Sequence, residues 1–254
     1  MYVYLYDNFL RHKRFAADIK TMEIRLTDYG IAGKILRINN YTDAKPIIED
    51  EVKRGAKTVV IVGNDDSFGQ ILSRAATVPI TFGFLPVGPN NSIAEILGIT
   101  PGTLAVDVLS RRRRQLLDIG WANNWCFIGQ LRIPPAKVEV TYDERFTVRA
   151  KDLLEVVVCN LKPYVFKSGQ PSDPEKIVHP QDGKLEAFLR PLTKRRWWGY
   201  MGEEPSVFPF EEMVIRGEKP FMVEADGKVS KEIKLTIRLA HHKIDLIVGR
   251  ERQF

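Results

Sequence analysis

Residues 58–72 read TVVIVGNDDSFGQIL, and this stretch constrains the fold more tightly than any other. The run Thr58–Val62 has no polar alternation, so a strand there must be covered on both faces, as an interior strand of a parallel sheet is. It leads into the polar turn Gly63, Asn64, Asp65, Asp66 and Ser67. Phe68, Ile71, Leu72 and Ala75 then form one stripe of an amphipathic helix.

Similar strand-then-helix units surround it. YVYLY (2–6), KILRI (34–38) and ITFGFL (80–85) read as strands. Residues 12–24 carry Phe15, Ile19 and Met22 at helical spacing. A second helix starts near Asp43 with Pro46 in its first turn and stops at Gly55. This alternation predicts right-handed βαβ units and a parallel sheet.

Beyond residue 102 the texture changes to short β-type runs: TLAVDVL, WCFIGQLRI, KVEVTY, FTVRA, LLEVVVC, KLEAFL, IKLTIRL and KIDLIVG. Turns such as YDER, PQDG and ADGK separate them. No helix is expected there. The reading is an α/β N-terminal domain with a parallel Rossmann-like sheet over residues 1–102. An all-β C-terminal sandwich domain over 103–254 would follow.

A hydrophobic share of 44% in 254 residues supports real cores. No apolar run reaches membrane-spanning length, and MYVYLYDNFLRHKRF lacks the order of a signal peptide, so cytoplasmic residence is expected. Cys126 and Cys159 each sit inside an apolar strand-like run, which suits buried free thiols. The net charge of +6 favours anionic partners: nucleic acid, lipid headgroups or nucleotide phosphates. Basic residues concentrate at Arg111–Arg114 and in KRRWW at 194–198.

The second polar turn is PVGPNNSIAEILGI, residues 86–99. Ser92 and Glu95 have capping-box spacing, so a helix is expected to begin at Ser92. Two neighbouring strands that end in such turns would aim backbone N–H groups and helix dipoles into one crevice, which suits phosphate. Gly, Asn, Asp and Ser are equally the residues of any βα loop.

The two turns resemble the paired signatures of the diacylglycerol kinase catalytic family, which includes sphingosine kinases and bacterial lipid kinases. GNDDS stands where that family has GGDGT, and PVGPNNSIAEILGI where it has a run like PLGTGNDFARALGI. LLDIGWANNWCFIG, VVVCNLKPYV, HPQDGKLEAFL and VEADGKV are similar to later family motifs, in the family's order across residues 58–230. The resemblance implies ATP, Mg²⁺ and transfer of a phosphoryl group to a lipid hydroxyl. It places Gly63, Asn64, Asp65, Asp66, Ser67, Gly88, Asn90, Asn91 and Ser92 at the nucleotide, with Asp226 as the base that accepts the hydroxyl proton. It names no residue as metal ligand.

The departures bear on activity. Asn64, Asp66 and Asn90 replace glycines, Pro89 replaces Thr, Ser92 replaces Asp, and Lys228 stands where DGE has a carboxylate. Asn and Asp tolerate positive φ best among non-glycine residues, so the backbone path could survive. A side chain at 64, 66 or 90 nevertheless occupies the space through which the main chain would approach a polyphosphate. Asp66 also adds charge. Two like charges about 5 Å apart at an effective dielectric near 20 repel by about 3 kcal/mol, unless a metal lies between them. An active lipid kinase and a non-catalytic module for a nucleotide or phospholipid both remain open.

Lys194, Arg195, Arg196, Trp197 and Trp198 form the candidate for peripheral membrane contact, since indoles favour the interface and cations attract anionic lipid. A nucleic-acid partner ranks last, because no groove or single-strand motif is present. A homodimer stays open. His241 and His242 are adjacent in a β run and so point to opposite faces, and His12 and His179 have no Cys or His near them at ligand spacing, so no zinc site is expected.

Overall fold

Tyr2–Asp7 (β1) is buried from Val3 onward, and its neighbours explain why. In this computed structural model, which describes residues 1–143, 146–164, 178–195, 199–202 and 204–254, β1 lies inside a mostly parallel sheet. The chain continues through α1 (Ala16–Asp28), β2 (Lys34–Ile38), α2 (Ala44–Lys53), β3 (Thr58–Gly63), α3 (Asp65–Ala75) and β4 (Thr81–Pro86). It then forms α4 (Ser92–Ile96), α5 (Thr103–Arg111) and β5 (Arg114–Leu117). The sheet order is β2, β1, β3, β4, a strand at Ile244–Ile247, then β5. All neighbours are parallel except β5.

β3 and β4 are buried at every position, as an unalternating apolar run requires. The edge strand β2 instead exposes Lys34, Ile35 and Arg37, and edge charge discourages pairing with another chain. α2 ends as expected. Gly55 at φ 92 lets its N–H reach Val52 O while Ala56 N–H reaches Glu51 O, which satisfies two terminal carbonyls.

The second unit, Asp118–His241, is all strand where regular among the described residues. Its elements are β6 (Gly120–Ala122), β7 (Trp125–Phe127), β8 (Gln130–Ala136), β9 (Val138–Tyr142), β10 (Phe146–Arg149) and β11 (Leu153–Cys159). They are followed by β12 (Leu185–Arg195), β13 (Gly199–Gly202), β14 (Ser206–Phe210), β15 (Glu212–Ala225) and β16 (Lys228–Leu239). These strands join one antiparallel hydrogen-bonded network, which branches at β15. The Met213–Gly217 half of β15 pairs with β9, while Glu224 and Ala225 pair with β8. An irregularity between Arg216 and Phe221 makes the corner. Val140, Ile215, Leu131 and Val223, drawn from both halves, meet in one buried core.

Three expectations need correction. TLAVDVL is not a strand but lies in α5, which buries Ala105, Val106 and Leu109 at helical spacing. The domain boundary therefore falls after Leu117 rather than after residue 102. Moreover, the strand at Ile244–Ile247, hereafter β17, belongs to the first sheet, so the first unit comprises Met1–Leu117 together with His242–Phe254. His241 and His242 lie outside regular strand.

Candidate functional site

The turn after β3 is shorter than its sequence suggests: α3 begins at Asp65, leaving Asn64 as the single linking residue and N-cap. Asn64 Oδ1 accepts from Ser67 N–H at 3.1 Å and Ser67 Oγ accepts from Asn64 N–H at 3.3 Å, a reciprocal capping box. Asp65 N–H donates to Asn90 O at 3.0 Å. The amides of Asn64, Asp65 and Ser67 are thus satisfied by the protein itself. Gly63 is equally committed, because a Cβ there would stand 2.4 Å from Ser67 Oγ. The room a glycine leaves for phosphate is filled by a hydroxyl.

The second turn lies directly beside the first, with Val87 N–H donating to Gly63 O at 2.7 Å. Gly88 (φ 93) and Asn90 (φ 64) are left-handed, so at Asn90 the glycine-like path is kept by the best available substitute. Asn64 (φ −106) and the helical Asp66 take ordinary backbone and needed no such tolerance. α4 begins at Ser92 as expected, but the Ser92–Glu95 capping box does not form. Asp65 provides the cap from the neighbouring turn. Its carboxylate, only 5% exposed, accepts from Ile93 N–H at 3.0 and 3.1 Å and from Ser92 Oγ at 2.7 Å. A protein carboxylate therefore already occupies the dipole end that would have attracted a ligand's negative charge. Asp66 is exposed.

Sequence reasoning missed two members of this cluster, Asp7 and Tyr41. β1 has β2 on one side and β3 on the other, so the ends of β1 and β3 form the point where strand order reverses and open sheets bind ligands. Asp7, at the end of β1, accepts from Ser67 Oγ at 2.6 Å, from Phe9 N–H at 3.0 Å and from the Tyr41 hydroxyl. Burial, followed by the hydrogen bond to Asp7, pushes the Tyr41 phenol well above its ordinary range. A carboxylate closing a strand beside such a turn was the available signal. Phe9 also packs on the second turn, with its ring 3.1 Å from where a Gly88 side chain would begin.

Asn91 differs from its neighbours. Its Nδ2 donates to Gly88 O at 2.7 Å, while its buried Oδ1 has no hydrogen-bond partner among the described residues. An orphaned acceptor calls for a donor, such as a hydroxyl or amine, which a deprotonated phosphate oxygen is not.

Asp226, at φ 45, occupies the turn between β15 and β16. Its carboxylate accepts from Ile128 N–H at 2.6 Å, Gly129 N–H at 3.2 Å and Gln130 N–H at 3.4 Å. Gly129 is needed for this approach, since a Cβ there would meet Asp226 Oδ1 at 2.6 Å. Burial raises the Asp226 pKa, and the three amides oppose the rise. The group is held as a clasp between two turns. Lys228, where the family pattern has a carboxylate, stacks 4.2 Å over the Trp125 ring. Of the membrane candidate, Lys194 is exposed and Arg195 is seen only as backbone, while Arg196, Trp197 and Trp198 lie outside the described residues.

The first turn does not fit a polyphosphate. At the first turn the amides of Asn64, Asp65 and Ser67 are used, and Asp7 and Asp65 are committed to protein donors. Among the described residues no three His, Cys, Asp or Glu side chains converge as metal ligands. What the geometry offers is a rigid pair of turns with one unmet acceptor at Asn91.

A parallel sheet presenting paired polar turns at its reversal point, together with a large antiparallel unit, defines a kinase-like two-unit protein. Residues 4–122 match the family model of the diacylglycerol kinase catalytic domain, and the chain resembles that family as a divergent relative. A diacylglycerol kinase from Bacillus anthracis str. Sterne superposes with a TM-score of 0.77 at 18% identity, covering 98% of this chain and 97% of that one. A candidate diacylglycerol kinase from the same organism gives a TM-score of 0.79 at 17% identity, with 98% of both chains covered. At such identity the likeness establishes the fold. No curated protein matches the chain.

Proposed function

We propose that this diacylglycerol kinase-like protein has lost phosphoryl transfer and serves as a non-catalytic lipid-binding module. The observation that carries this reading is Asp65, whose two oxygens cap α4 and so fill, from within, the place where a phosphate would be held. Phosphoryl transfer depends on positioning and charge neutralisation, and a first turn whose Asn64, Asp65 and Ser67 amides are spent on the protein supports neither. The clasped Asp226 is likewise poorly placed to accept a hydroxyl proton, because its oxygens are engaged by the Ile128, Gly129 and Gln130 amides. An orphaned acceptor at Asn91 suits the hydroxyl of a polar lipid headgroup.

The test is a thermal-shift titration with ATP and ADP, with and without Mg²⁺, alongside phosphate incorporation into diacylglycerol and sphingoid bases. No shift at millimolar nucleotide and no incorporation is the expected result. Incorporation that disappears in Asp226→Asn would overturn the reading.

A second reading, an active ATP-dependent lipid kinase, is favoured by the left-handed Asn90, which keeps the second turn's path. Asp65 and Asn91 would then face the nucleotide, the exposed Asp66 would help to hold Mg²⁺, and Asp226 would be the base.

A further inference from the structure

We infer that the outer face of the β15–β16 hairpin docks the second unit onto an anionic lipid bilayer. Pairing of Met222 with Lys231 and of Glu224 with Val229 places these residues on one face, and Ile233 follows Lys231 by one strand period. The apolar members are exposed to a degree a core-building strand avoids: Met222 43%, Val229 62% and Ile233 59%. Isolated exposed apolar residues need no explanation, but three on one hairpin do.

A groove of about 530 Å³ adjoins this face through Met222, lined also by Pro134, Pro135, Lys137, Lys219, Pro220 and Phe221. Three prolines offer no backbone N–H, so an added peptide strand would find few donors there. An acyl chain needs none.

Charge points the same way. Lys231 lies within the apolar face and Lys219 is exposed on the groove, while Lys137 on the groove is paired with Glu218 at 3.3 Å. The nearby carboxylates are half-buried Glu224 and Glu232, the latter accepting from Asn123 Nδ2 at 3.1 Å. A bilayer of anionic headgroups would pair with those lysines and receive the apolar side chains between them.

This surface is distinct from residues 194–198 and needs no nucleotide, so its failure and that of the non-catalytic reading are separate results. The test is flotation of the full chain with phosphatidylglycerol–phosphatidylcholine vesicles and with phosphatidylcholine alone. Binding to the anionic vesicles is expected. It should fall at least tenfold in Val229→Glu/Ile233→Glu and in added salt, with an unchanged melting temperature confirming that these exposed positions leave the fold intact. Three results would overturn the inference: no binding by the unaltered protein, equal binding by the double variant, or loss only in Trp197→Ser/Trp198→Ser. A concentration-dependent dimer abolished by the double variant would also overturn it, assigning the face to a second copy.

Discussion

The Asp65 carboxylate and the Ser92 hydroxyl meet at 2.7 Å, joining the first residue of α3 to the first residue of α4. The same carboxylate accepts from Ile93 N–H, so one acidic side chain both caps a helix and fastens two turns.

Replacing it should therefore cost stability. Asp65→Ala leaves a buried N–H and a hydroxyl without their acceptor, a loss of about 2–3 kcal/mol. Ser92→Ala, which removes only one donor, should cost about 1 kcal/mol. Denaturant titration of both variants checks the order, and an Asp65→Ala protein as stable as the parent would remove Asp65 from the role of cap.

Opening the first turn should restore affinity for nucleotide. Asn64→Gly/Asp66→Gly dismantles the capping box and removes the exposed charge, and a glycine N-cap costs only a few tenths of a kcal/mol. Calorimetric titration should show ADP binding at least tenfold tighter in the double variant than in the parent. Weaker binding would mean that Asp66 holds a metal, as the active-kinase reading requires.

Glu186 should make stability fall with pH. Burial, with the nearby Asp182 charge adding to it, raises its carboxyl from 4.5 to about 7, and its buried Oε2 has no hydrogen-bond partner among the described residues. A folded pKa above the unfolded one gives a contribution that is complete below pH 4.5 and lost as pH rises through about 7. Glu186→Gln should thus match the parent near pH 4.5 and exceed it at pH 8 by about 1–2 kcal/mol, a figure reduced for partial exposure. Denaturation midpoints at both values measure the difference, and a constant gap across pH would sink the assignment.

Residues 1–117 should not fold alone. Without β17, the fully buried β4 loses one of its two parallel neighbours, and β5 loses the only strand it pairs with among the described residues. Because Leu117 lies opposite Ile244, a short glycine-serine linker can join residue 117 to residue 242. The joined protein should unfold cooperatively by circular dichroism while the bare fragment aggregates.

The parallel sheet was legible because burial on both faces leaves a mark within one segment, as at Thr58–Val62. α5 was not, because TLAVDVL is rich in β-branched residues while its helical spacing spans little more than one turn. KIDLIVG was rightly read as a strand but given to the wrong sheet, since periodicity reports which face is covered and not which neighbour covers it. The left-handed Asn90 followed from residue chemistry. Asp65 as a cap for α4, and Asp7 as acceptor for Ser67, depend on residues far apart in sequence, and local pattern cannot show such meetings.

β17 also dictates an order of maturation. During synthesis every strand of the inserted unit leaves the ribosome before Ile244–Ile247 does, so that unit can mature while the earlier sheet waits with a flank of β4 bare. The portion made first is completed last, and the nascent chain must protect an unfinished apolar edge for most of its translation.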